Sequence, residues 1–73
     1  MNKEDFLVKI SDVIEYDGEL TYESILSDIE EWDSISIIST AAFLDSIGKK
    51  VPVDDIKNAK TVAQLANMAG IDE

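Results

Sequence analysis

Seventy-three residues with sixteen acids against six bases, a formal net charge of −10, bound what this chain can be. A chain of this length makes one domain and buries only about 60% of the surface its unfolded form exposes, so modest stability is expected. Having neither Cys nor His, it has no disulfides, thiolate nucleophiles, imidazole bases or usual zinc ligands.

Carboxylates and hydroxyls remain, but a carboxylate pair needs a cleft that so small a core can hardly enclose, so catalysis is not expected. Nucleic acid is a poor partner because phosphate binding needs a basic patch. Forty-five per cent hydrophobic residues with one Pro and three Gly point to a compact protein rather than a disordered tail. No stretch approaches the roughly 20 apolar residues of a membrane span, and Met1-Asn2-Lys3-Glu4-Asp5 lacks a signal-peptide layout. A cytoplasmic monomer is the expectation. Residues 1–33 hold eleven acids and two bases, net −9, and residues 34–73 hold five acids and four bases, net −1. Partners with basic surfaces, binding less tightly as salt rises, are therefore expected.

Helix one is predicted from Lys3 to about Tyr16. Phe6, Ile10, Val13 and Ile14 form one stripe at a 3.6-residue period, and Leu7 widens it. Asn2 can cap its start with Asp5 at the third helical position, and Tyr16-Asp17-Gly18 should end it, Gly accepting the left-handed stop. The connection from Asp17 to Asp33 is long, and Leu20, Tyr22, Ile25, Leu26 and Ile29 are too apolar for a free linker. It should lie across the core, with a helical turn near Tyr22 to Leu26.

Helix two is predicted from Ser34 to about Ile47, ended by Gly48 and followed by Lys49 and Lys50. Ile37, Thr40, Ala41, Leu44 and Ile47 should face inward, leaving Ile35, Ile38 and Ala42 towards solvent. Those three either lie under the long loop or form a docking patch. After Pro52, a short helix from Val53 to about Asn58 carries Asp54 and Asp55 in its first turn. Thr61 and Gln64 fit the capping box of a last helix that buries Val62, Leu65, Ala66 and Ala69 and stops at Gly70. The chain thus reads as all-α, a small four-helix bundle of three main helices plus one short helix, with a long first loop and a single domain over residues 1–73.

One stretch carries chemistry. In Trp32-Asp33-Ser34-Ile35, Asp33 is the favoured residue for a helix N-cap, and Ser34 then faces outward where free amides and the dipole stabilise a phosphate ester. Taken alone, Asp-Ser before an apolar run is most often only a cap. Trp32 either covers the core and fixes the approach to Ser34 or touches a partner; large aromatics more often pack than recognise.

In its setting, mid-chain in a short acidic sequence after a long loop, Trp32-Asp33-Ser34-Ile35 resembles the Asp-Ser-Leu signature of the acyl carrier and peptidyl carrier proteins. Val51-Pro52-Val53-Asp54-Asp55-Ile56 resembles that family's third-helix entry, and Lys60-Thr61-Val62 the start of its last helix. The resemblance spans nearly the whole chain. It implies a 4′-phosphopantetheine arm, taken from coenzyme A, on Ser34, with Asp33 supporting and available to magnesium during transfer rather than holding a stable metal. It implies a non-catalytic carrier holding acyl or aminoacyl cargo as a thioester in fatty-acid, polyketide or related biosynthesis. The partners implied are a phosphopantetheinyl transferase, an acyl- or aminoacyl-loading ligase or acyltransferase, and a downstream synthase or transferase. The partner-facing residues would be Trp32, Ile35, Ile38, Ala42 and Asp45.

The chain departs from the pattern in helix two. Fatty-acid carriers place acids along the exposed face, whereas the matching positions here are Ser36, Ser39 and Ser46, with only Asp45 acidic. That leans towards a dedicated partner set, such as an adenylating ligase loading one aminoacyl group. The alternative from another class is an unmodified acidic helical adaptor binding a basic protein.

Overall fold

Asn2 opens the first helix as its composition suggests. In the computed structural model, which describes residues 1–71, its backbone is extended and its side-chain oxygen accepts the Asp5 N–H at 2.8 Å. Helix α1 then runs Lys3–Val13, with Glu4 and Asp5 in the first turn, where the dipole favours negative charge. Phe6 and Ile10 are wholly buried and Ile14 nearly so.

The helix stops three residues earlier than the sequence suggests, and at a different residue. Glu15, not Gly18, takes the left-handed conformation, at φ 56°. Its N–H donates to the Asp12 carbonyl at 3.2 Å and the Tyr16 N–H to the Ser11 carbonyl at 2.9 Å. These are the paired bonds of a Schellman closure, which satisfies the last carbonyls once Ile14 has completed the buried stripe. Gly18 instead leaves room for the Tyr16 ring: a Cβ there would meet its outer edge at 2.5–2.8 Å, so a larger residue would have to displace that ring.

The long connection lies across the core, burying Leu20, Tyr22, Leu26 and Ile29. Its helical turn falls later than expected, as a single 3-10 turn at Leu26–Asp28. The displacement has a local cause. The Thr21 N–H donates to the Ser24 hydroxyl at 3.0 Å and the Ser24 N–H to the Thr21 carbonyl at 3.1 Å, closing a tight turn. Ile25 is then drawn out into an antiparallel bridge with Thr61.

Helix α2, Ser34–Ser46, packs against α1 on one side and α3 on the other. The Phe43 and Phe6 rings meet tilted by 42° with centroids 6.3 Å apart. Thr40 and Leu44 are fully buried, and Ile37, Ala41 and Ile47 pack half-buried beside them. Ser36 is buried too, which corrects its placement on the outer face: it lies one turn before Thr40 on the same inward row. Gly48, at φ 84°, closes α2 by the same paired bonds, Gly48 N–H to the Asp45 carbonyl and Lys49 N–H to that of Leu44.

Pro52 precedes α3, Val53–Lys57, a little shorter than expected because Asn58 serves as its cap; Ile56 plugs the core. Helix α4, Val62–Ala69, starts at Thr61, whose hydroxyl accepts the Gln64 N–H at 3.4 Å. The return arm of this box is altered: the Gln64 side chain accepts from the Lys60 N–H, not from that of Thr61. Val62, Leu65, Ala66 and Ala69 are buried, and Gly70, at φ 72°, ends the helix. The described residues thus form a small all-α bundle without strands. Their radius of gyration is 10.7 Å, near the roughly 11 Å expected for this length. Among them, no helix is long and apolar enough to cross a membrane.

Candidate functional site

The chain approaches α2 through closely spaced bonds. The Trp32 N–H donates to the Ile29 carbonyl and the Asp33 N–H to that of Glu31, each at 3.0 Å. Asp33 itself is extended at φ −123° and ψ −171°, and its Oδ1 accepts the Ser36 N–H at 3.0 Å. Its carbonyl accepts the Ile37 N–H at 2.9 Å, so Asp33 caps the helix with both side chain and backbone.

Ser34 follows as the first residue of α2 and is exposed. The amides of Ser34 and Ile35 lie in the first turn, where an α-helix supplies no acceptor. A hydroxyl so placed, beside unspent donors and the positive end of a thirteen-residue helix, is chemically suited to carry a phosphodiester.

Sequence reasoning missed the second anchor. The Ser36 hydroxyl donates to the Glu31 carbonyl, tying the first turn of α2 back to the segment that enters it. Asp33 and Ser36 therefore clamp the two residues between them, Ser34 and Ile35, from both sides. The signal was present: stepping back by four from Leu44 and Thr40 reaches Ser36, a row that the outward placement of Ser36 overlooked.

Beside the clamp lies a cleft of about 220 Å³, its walls including Ile14 and Ile35 and its rim Glu15, Glu31 and Asp33. Three carboxylates, of which that of Asp33 caps α2, with no base among the described residues of the lining, make this entrance strongly acidic. No group of three or more His, Cys, Asp or Glu side chains among the described residues is arranged to hold a metal ion.

The remaining residues singled out from the sequence divide into two sets. Ile35, at 75% exposure, Ile38, at 60%, and exposed Ala42 and Asp45 follow one another at helical spacing along the open face of α2. The long loop does not cover them. Trp32 is not part of that stripe; it is half-buried and packs against the core. Asp45 also borders a cleft of about 330 Å³ formed with Ala41, Lys50, Val51 and Pro52.

Compared with protein-family models, with curated proteins and with solved structures, the chain matches none.

Proposed function

We propose that this protein is an acyl or aminoacyl carrier whose 4′-phosphopantetheine arm is joined through its phosphate to Oγ of Ser34. The observation that supports this reading most is the clamped, exposed position of Ser34 at the start of α2, between the Asp33 cap and the Ser36–Glu31 bond. The residues fit the group: the hydroxyl is accessible, and the first-turn amides and helix dipole favour a phosphate beside it. Such an arm, once attached, supplies the terminal thiol that holds cargo as a thioester, which a chain without cysteine cannot supply itself.

The protein's own contribution is presentation. Asp33 fixes the helix start through Oδ1, and its carboxylate, an oxygen ligand suited to magnesium, can engage the ion while a transferase works. Ile35, Ile38, Ala42 and Asp45 offer loading and downstream enzymes an apolar stripe that ends in a charge. Trp32 holds the approach rather than meeting partners directly, since its ring is packed on the core. A tethered cargo then meets each docked enzyme at high local concentration.

The test is intact mass after incubation with a broad-specificity phosphopantetheinyl transferase, coenzyme A and magnesium. Wild type should gain one phosphopantetheine and Ser34→Ala none. A wild-type chain that stays bare beside a control carrier that is loaded would overturn the proposal. The mass of protein taken from its native cell would separate acyl from aminoacyl cargo. For the rival acidic adaptor, Ser34→Ala should instead leave partner binding intact while charge reversals at Asp28, Glu30 and Glu31 abolish it.

A further inference from the structure

The N-terminal half of α1 and the first turns of the loop enclose two adjoining clefts, of about 420 and 400 Å³, that share Glu4, Leu7, Glu19 and Leu20. We propose that this groove docks a cationic amphipathic helix of a partner protein, at a surface distinct from the one around Ser34.

The groove has the two properties such a segment requires. Leu7 and Leu20 line both clefts, and Val8, 62% exposed, lines one of them. A solvent-facing position on an amphipathic helix is ordinarily polar, so Val8 adds apolar surface where solubility alone would call for charge. The walls carry Glu4, Glu19 and Glu23. Lys3 is the single base among the described lining residues, and its ammonium lies over the Tyr22 ring, 4.5 Å from the centroid. An apolar strip between carboxylates is complementary to a helix presenting one or two aliphatic side chains flanked by Lys or Arg. Nucleic acid and anionic lipid are excluded by the same charge, since residues 1–33 carry net −9.

No residue of this groove lines the cleft beside Ser34, so a helix seated here leaves that hydroxyl open. The inference therefore stands or falls independently of the carrier reading.

The experiment is an amide NMR titration of the whole chain with a synthetic helix-forming peptide of leucine and lysine. A glycine–lysine peptide of equal charge is the comparison. The largest shifts should fall on Glu4 to Ser11 and Gly18 to Glu23, with the leucine peptide binding more tightly. Val8→Ser, which removes apolar surface without changing charge, and Glu19→Lys should each weaken binding by about tenfold or more. Glu30→Lys, the same charge change as Glu19→Lys but outside the groove, should weaken it by less than about threefold. Three results would overturn the proposal: equal losses in Glu19→Lys and Glu30→Lys, equal affinity for the two peptides, or shifts centred on Ile35 to Ala42. Val8 and Glu19 are both exposed, and amide dispersion in each variant checks that it remains folded.

Discussion

At Glu15 the backbone holds φ 56°, a region in which an L side chain crowds the following carbonyl at a cost of about 1–2 kcal/mol. Gly48 occupies the equivalent place in α2 with nothing within 4 Å of a hypothetical Cβ, so only backbone conformation is at stake there. Opposite outcomes follow. Glu15→Gly should raise stability by about 1 kcal/mol and Gly48→Ala should lower it by a similar amount, read as shifts in urea midpoint at unchanged slope. A destabilised Glu15→Gly chain would show that the Glu15 side chain contributes more than its strain removes. The contrast also marks what single residues disclose. Asn2, Asp33 and Thr61 announce their caps because a short polar side chain acts on its own helix within three residues. Glu15 announces nothing, because its conformation follows from where the buried stripe ends at Ile14, a fact of packing. Ser36 was misplaced for a related reason: a hydroxyl reads as surface until a backbone acceptor, here the Glu31 carbonyl, is brought to it.

Helix α4 has only eight residues, too few to persist alone, and its first turn depends on the loop as well as on its own cap. The Val62 N–H donates to the Ser24 carbonyl and the Ala63 N–H to that of Tyr22, each at 3.1 Å. In return the Leu26 N–H donates to the Lys60 carbonyl at 2.9 Å. Loop and helix should therefore open as one unit. In hydrogen exchange, the Val62 and Ala63 amides should be protected although first-turn amides have no partner within their helix, and Leu26 should exchange in step with them. Leu26→Ala, at a 1% exposed site, should cost about 2–5 kcal/mol and strip protection from Val62 and Ala63 together. Fast exchange at Val62 and Ala63 in the wild type would mean that these bonds do not hold in solution. The apolar spacing of Leu20, Tyr22, Leu26 and Ile29 made the loop's burial legible, and the helix stripes and caps made the bundle legible. The bridge between Ile25 and Thr61 was not, since pairing across thirty-six residues leaves no periodic trace in either segment.

Across the whole molecule, charge opposes what packing achieves. Nine net negative charges fall in residues 1–33, which supply α1 and the loop, whereas the remaining forty residues are nearly balanced. The molecule measures 27 by 24 by 18 Å. At about 10 mM salt the screening length, roughly 30 Å, exceeds every one of these dimensions, so each carboxylate repels all the others. At about 150 mM it falls to roughly 8 Å, and only near neighbours interact. Raising salt over that range should therefore stabilise the fold, and each 1 kcal/mol gained should appear as a rise of about 4–8 °C in Tm. Magnesium and calcium should act alike, because the described residues present no grouped carboxylate site that would distinguish one ion from the other. Melting curves that coincide at the two salt concentrations would mean that the acids repel one another as strongly in the unfolded chain as in the bundle. A rise produced by calcium alone would instead locate a specific ion site, and self-repulsion would no longer be the cause.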